Sequence, residues 1–234
     1  MTGTLINTGA IVAGGLCGLL FGKALKERHQ ETLTMACGAG TLFIGISGAM
    51  NYMLQNELFP NGGSMLVVVC LALGGLIGEI LNIEHWFERF GEWLKVKTGN
   101  AKDTGFVNGF LTASLTVCIG AMAIVGAIQD GIVGDWSILG AKAILDLIII
   151  MVMAASLGKG CIFSAVPVGI SQGTITALAV LIRPFITETA MGNLSLVGSV
   201  LIFCVGVNLF WGKKIRVANL LPALVIAVIW AAFQ

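Results

Sequence analysis

Eight stretches of apolar residues, each about as long as a bilayer-crossing helix, alternate with short polar segments along this chain. They fall at about 3–22, 34–55, 63–83, 106–128, 138–157, 162–183, 192–211 and 217–233. Continuous apolar runs of this length predict α-helices, because a membrane β-barrel would show alternating and more polar strands. The expected fold class is all-α: a polytopic transmembrane helical bundle of about eight spans, forming one domain over residues 1–234.

The polar connections carry an orientation signal. Lys23, Lys26 and Arg28 follow the first stretch, and Arg89, Lys95, Lys97 and Lys102 follow the third. Lys159 follows the fifth, and Lys213, Lys214 and Arg216 follow the seventh. Alternate connections therefore hold 11 of the 13 basic residues, while the segments from Asn56 to Gly62 and from Asp130 to Trp136 hold none. The positive-inside rule then places both termini on the non-cytoplasmic side. Within residues 84–97, Trp86, Phe87, Phe90, Trp93 and Leu94 recur at helical spacing. Two readings fit that pattern: an amphipathic helix on the cytoplasmic interface, or a plain extension of the third span.

The glycines suggest an internal repeat. Gly3, Gly14, Gly15, Leu16 and Gly18 match Gly63, Gly74, Gly75, Leu76 and Gly78 at a constant offset of 60, and Gly-Ala-Met recurs at 48–50 and 120–122. The pattern reads as a parallel duplication with units 1–60 and 61–130. Gly14, Gly18 and Gly22 form a four-residue ladder, as do Gly74 and Gly78, and such ladders let helix backbones approach closely. They also make a homo-oligomer a candidate assembly.

Composition sharpens the class. The chain is 57% hydrophobic and 11% charged, against about 25% charged in soluble domains. The expected surroundings are therefore a lipid bilayer. A net charge of +1 gives no electrostatic case for nucleic acid as a partner. The six cysteines are scattered singly, with no CxxC or Cys/His cluster, so they read as small apolar side chains rather than a metal site or disulfide framework. No cofactor is indicated. No basic region precedes the first apolar stretch, so that stretch is expected to persist as a helix rather than serve as a cleavable signal.

Candidate chemistry concentrates in the fifth and sixth stretches. Residues 158–176, GKGCIFSAVPVGISQGTIT, combine Pro167, two nearby glycines (Gly169 and Gly173) and the polar side chains of Ser164, Ser171 and Gln172. This reads either as an interrupted sixth span whose freed backbone lines a cavity, or as a proline-kinked helix with its polar groups bonded to neighbours. Asp146 lies inside the fifth span with Lys142 one turn earlier, so the two can pair; the alternative is that Lys142 snorkels outward. Buried ionisable groups in a span are candidates for function. Gly120 to Asp130 is a candidate opposing wall. Glu79, Asn7, Asn51, Asn108, Asn208 and Asn219 add polar groups within or near spans, where bonding between helices is the commoner role.

Two enzyme-like strings fail on context. Gly169-Ile170-Ser171-Gln172-Gly173 matches the G-x-S-x-G nucleophile elbow, but it sits in an apolar helix. The only histidines, His29 and His85, fall at expected cytoplasmic ends. Ser156 to Lys159 matches S-x-x-K without its companion motifs. The chain is therefore not expected to be an enzyme.

The segments GTLINTGAIVAGGLCGLLFG, GLIGEILNIEHWFERFGEWLK, FVNGFLTASLTVCIGAMAIVGAIQDG, AKAILDLIIIMVMAASLGKGCIFSAVPVGISQG and GVNLFWGKKIRVANLLPAL together resemble the YqgA-type bacterial membrane proteins, a family of unknown function. The resemblance covers essentially the whole chain. It implies a protein of the bacterial cytoplasmic (inner) membrane and supplies no substrate.

The functional expectation is a transporter of a small solute or ion. Asp146 would serve as a cation or proton site, with Gln172, Ser171 and Ser164 as polar ligands. The other reading is a non-catalytic membrane scaffold or sensory subunit.

Overall fold

The computed structural model describes residues 1–24, 26–54, 63–118, 121–132, 134–182 and 187–231. Every regular element among them is helical. In chain order these are α1 (Thr2–Ala24), α2 (Glu27–Met53), α3 (Ser64–Leu81), α4 (Ile83–Lys97), α5 (Phe106–Cys118), α6 (Ala121–Ile132), α7 (Ser137–Leu157), a 3-10 helix (Lys159–Ser164), α8 (Ala165–Ala177), α9 (Ala179–Ile182), α10 (Glu188–Trp211), a second 3-10 helix (Val217–Leu220) and α11 (Pro222–Trp230). By length and composition, four described helices can each cross a membrane: Thr2–Gly22, Ser64–Leu81, Ser137–Leu157 and Glu188–Trp211. The helices of Phe106–Cys118 and Met122–Ile132, bent by 63°, make a fifth if they act as one.

Local chemistry sets the ends of these helices. Thr187 caps α10 by accepting the Ala190 N–H at 3.1 Å. Ahead of α7, Asp135 accepts the Ser137 N–H at 2.9 Å, and that bond holds the Asp135 carboxyl below its ordinary range. Asn82, at φ 51°, closes α3 in the left-handed region, which Asn tolerates better than most residues. α4 is thus a separate helix and not a straight extension of α3. Gly158 (φ 85°, ψ −159°) ends α7 and Gly212 (φ 77°, ψ 176°) ends α10, both in a region open essentially to glycine alone. After each glycine the chain makes a 3-10 turn and returns as a short helix with a proline in its first turn: Pro167 in α8, Pro222 in α11.

Pro167 therefore starts a helix rather than kinking one, since first-turn N–H groups have no intrahelical partner to lose. The interruptions of the sixth stretch lie elsewhere, in the 3-10 segment before α8 and in the turn at Leu178. Gly169 and Gly173 sit within α8 itself.

The chain divides into two compact units. The first comprises Met1–Cys37, Phe87–Cys118 and Met122–Ile182. Here α1 and α7 run parallel and very close. A Cβ added at Gly14 or Gly18 would collide with the carbonyl oxygen of Leu147 or Met151, and one at Gly22 would stand 2.7 Å from that of Ala155. The glycine ladder is thus matched by carbonyls one turn apart on the facing helix. α8 runs antiparallel to α1, with Gly15 against Ile162 and Thr4 against Thr176. Gly109 of α5 lies beside Leu157, and Gly126 of α6 beside Leu139, so that α5 and α6 run opposite to α7. Phe87, Phe90 and Leu94 of α4 pack with Phe106, Phe110 and Phe163. On the same helix Trp93 is left exposed.

The second unit comprises Gly38–Trp86, Ile119–Ala121 and Arg183–Gln234. Residues 38–53 of α2 run antiparallel to α10, with Gly38 against Leu209, Gly45 against Phe203 and Gly48 against Ser199. α11 returns along both α3 and α10: Gly74 meets Ala223, Gly78 meets Asn219, and Asn193 Nδ2 donates to Ala227 O at 3.2 Å. Its core of Leu66, Cys70, Leu196, Val197, Ala223 and Ala227 is apolar. Charged groups gather at one end. Glu79 pairs with Arg216 and accepts from Asn219 Nδ2 at 2.6 Å, while Asn219 Oδ1 accepts the Glu84 N–H at 2.7 Å. Lys213 pairs with Glu84 at 2.7 Å. Asn208 ties the same loop through Lys214 and Ile215. Glu79, Asn208 and Asn219 thus bind one end of this unit together.

Candidate functional site

The first unit buries a polar cluster where α1, α7 and α8 meet. On α1, Thr4, Asn7 and Thr8 share one face with Ile11, Gly14 and Gly18, so the packed stripe is polar in its first turns and small in its last. α8 answers in antiparallel register. Thr4 and Thr176 hydroxyls lie 3.3 Å apart, and Asn7 Nδ2 donates to Gln172 Oε1 at 3.3 Å.

Against this pair stands α7. Lys142 Nζ donates to both Asp146 oxygens, at 2.8 and 2.7 Å, and the two side chains are 9% and 4% exposed. The spacing that suggested pairing is thus realised, and Lys142 does not snorkel to an exposed position. The order Lys then Asp is the weaker one for a helical ion pair, so local helix stability gives no account of it. The α1–α7 register, with Gly3 at Leu139 and Gly14 at Leu147, places Asn7 along the stretch of α7 that carries the pair. Among the described residues, Asn7 Oδ1 and Gln172 Nε2 are buried with no hydrogen-bond partner. The first is a bare acceptor and the second a bare donor.

Cys118, the last residue of α5, completes the cluster. Its thiol lies near Ser171, Lys142 and Asp146, while the Ser171 hydroxyl donates to Val168 O at 3.2 Å. α5 thus ends at the cluster.

Of the candidates read from sequence, Lys142, Asp146, Ser171 and Gln172 come together here. Ser164 is fully buried, but its hydroxyl donates locally to Cys161 O at 2.7 Å. Pro167 acts as a helix starter. Asp130 lies at the end of α6, where it accepts the Gly3 N–H at 3.0 Å and pairs with the Met1 ammonium at 3.0 Å. A carboxylate at that position complements the N-terminus of α1. Gly120 lies outside the described residues. Asn7 carries more of the site than its place among six scattered polar residues suggested. A readable signal existed: Thr4, Asn7 and Thr8 share one helical face with the glycine ladder. Among the described residues, no three His, Cys, Asp or Glu side chains gather in a way that could hold a metal ion.

These features define a protein, helical in every regular element among its described residues, in which two membrane-length apolar helices, α1 and α7, bury a charge-paired polar cluster together with α8. The chain belongs to the family described as "Protein of unknown function (DUF554)", which matches residues 2–232. It is 31% identical over 226 residues to the uncharacterized membrane protein YdfK of Bacillus subtilis (strain 168), covering 97% of this chain and 93% of YdfK. It is 30% identical over 230 residues to the uncharacterized protein YqgA of Escherichia coli (strain K12), covering 97% and 94% respectively. The resemblance to YqgA-type proteins is therefore a family relationship. No solved structure matches. The membrane relative and the exposed apolar side chains of the long helices, such as Leu5, Leu20, Met65 and Ile80, together support a membrane location.

Proposed function

We propose that this protein is a transporter of a small solute or ion in the bacterial cytoplasmic membrane. In this reading it crosses eight times, has both termini outside and is not an enzyme. The observation that carries it is the buried Lys142–Asp146 pair beside two polar atoms, on α1 and α8, that have no partner among the described residues. An unsatisfied buried polar group costs about 1–3 kcal/mol, and evolution rarely keeps two together without a use. The 63° angle between the helices of Phe106–Cys118 and Met122–Ile132 fits the discontinuous helices that accompany membrane substrate sites. Lys142 holds both carboxylate oxygens, so Asp146 does not act as a bare cation site; binding acts on the pair.

The helix directions support the eight-span topology. Within the first unit, α1 and α7 run one way and α5, α6 and α8 the other. Within the second, α3 and α10 run one way and residues 38–53 of α2 and α11 the other. These directions follow the alternation that the basic connections require. A reporter fused at Gln234 is expected to report a non-cytoplasmic location, and a cytoplasmic signal overturns the topology.

The returning hooks that follow Gly158 and Gly212 support a duplication. Its pairing joins α1, α7 and α8 with α3, α10 and α11, rather than units 1–60 and 61–130. Counted back equally from the two glycines, Lys142 and Asp146 fall on Leu196 and Val200. In this pairing the ion pair is kept in one copy, and apolar side chains stand at its positions in the other.

The test is flux in proteoliposomes across a panel of ions and small metabolites. Wild type is expected to move at least one member, and Asp146→Asn to lose most of that rate. An unchanged rate in Asp146→Asn removes the pair from the mechanism. The exposed Trp86 and Trp93 of α4 favour the scaffold reading, as a partner surface. Crosslinking that depends on them, with no flux for any solute, would decide for it.

A further inference from the structure

The chemistry of the cluster names a class of ligand, on the premise that the site is a solute site. We propose that it takes a small zwitterion bearing an ammonium and a carboxylate.

The charges of Lys142 and Asp146 cancel, and both side chains are buried. A lone cation or anion entering this place would leave a net charge in a medium that solvates it poorly. A zwitterion adds none. Its ammonium can take the Asp146 carboxylate while its carboxylate takes the Lys142 ammonium, so that one internal ion pair is exchanged for two ion pairs to the ligand and neutrality is kept at every stage.

The unpartnered atoms fit that exchange. Asn7 Oδ1 is an acceptor on the stretch of α1 that faces the pair, so acceptor and carboxylate together suit an N–H-bearing cation. Gln172 Nε2 is a buried donor on α8, on the side chain whose Oε1 accepts from Asn7. That donor suits a carboxylate. A simple metal cation would use the Asn7 oxygen and leave the Gln172 donor idle; a simple anion would do the reverse.

The experiment is thermal unfolding of the purified full-length protein in detergent, at constant ionic strength, with glycine, alanine or β-alanine. Acetate and ethylammonium serve as the two half-molecules. The zwitterions are expected to raise the midpoint in a saturable way and the half-molecules to leave it unmoved. Gln172→Leu, checked for a monodisperse elution peak, is expected to weaken the response about tenfold, the loss of one buried hydrogen bond. An equal shift from acetate or ethylammonium overturns the proposal, and so does no shift from any zwitterion with folded wild type. The two readings fail separately. Zwitterion binding without flux in proteoliposomes removes transport and leaves the ligand class standing. Flux of an inorganic ion with no zwitterion response removes the ligand class and leaves transport.

Discussion

Gly18→Leu should prevent α1 from seating on α7 and leave little folded protein to purify. A Cβ at Gly18 would overlap the backbone carbonyl of Met151 and also meet Ala154. The obstacle is main chain within a regular helix, so no rotamer change can make room; the helices must separate. Separation costs more here than in a soluble core. Between lipid-bathed helices, close packing supplies much of the attraction, because apolar side chains gain little by leaving lipid. Moving α1 outward would loosen the contacts of Gly14 with Leu147 and of Gly22 with Ala155, and with them the register that holds Asn7 against Gln172. Gly18→Ala is expected to cost about 1–3 kcal/mol, the usual range for overpacking, and leucine more. Gly9→Ala and Gly173→Ala are the controls, since nothing lies within 4 Å of a Cβ at either position. They should be neutral or stabilising by up to about 1 kcal/mol, the difference in helix propensity. Thermal midpoints from size-exclusion of heated, detergent-solubilised protein read all four. A Gly18→Leu variant that melts with wild type would show that α1 and α7 are not in contact.

The same glycines show how far the sequence can be read. Their spacing in α1 announces a close helix contact, because only hydrogen fits between two backbones. It does not announce which helix is approached, and Leu147 and Met151 look like any other residues of an apolar run. The Lys142–Asp146 pair is legible for the same reason that it is local: four residues on a helix put two side chains side by side whatever the tertiary fold. The contact between Asn7 and Gln172 spans most of the first unit and depends on α8 returning along α1. Pro167 misleads in the opposite direction. A proline within an apolar stretch suggests a broken helix, but its effect depends on where the helix begins. That is set nine residues earlier, by Gly158 and its glycine-only conformation. Hydropathy finds the apolar stretches for a simpler reason, since lipid exposure and core burial both demand apolar side chains. It cannot tell a full span from the short helices that follow Gly158 and Gly212, where the chain uses part of an apolar stretch for a 3-10 turn.

Asp146→Leu is expected to destabilise the protein by about 3–5 kcal/mol, whereas Lys142→Met with Asp146→Leu should return close to wild-type stability. The single change leaves the Lys142 ammonium buried without its carboxylate, and an uncompensated charge is costly in a site this closed. Lys142→Met alone should fall between the two extremes, because a carboxylate can take up a proton and become neutral. The double change removes both charges and replaces them with side chains of similar bulk. Buried pairs often return no more in attraction than they lose in desolvation, so an apolar pair can hold the fold as well or better. Chemical unfolding in mixed micelles measures these differences, and the three variants form a cycle in which the coupling between the positions should be large. The cycle then separates folding from function. If the pair exists only to join α7 to its surroundings, the double variant should keep whatever flux the wild type shows. If the pair is the element that solute engages, the double variant should be stable, monodisperse and silent. A double variant as unstable as Asp146→Leu would contradict the premise, because it would mean that the charges are needed for the fold itself. The second unit bears on this expectation. Under the duplication proposed above, Leu196 and Val200 stand there where Lys142 and Asp146 stand in the first, and Leu196 is fully buried in an apolar core. Helices joined through the same glycine-ended hook can therefore pack without charges at this position. That leaves the ion pair of the first unit in want of a reason other than stability.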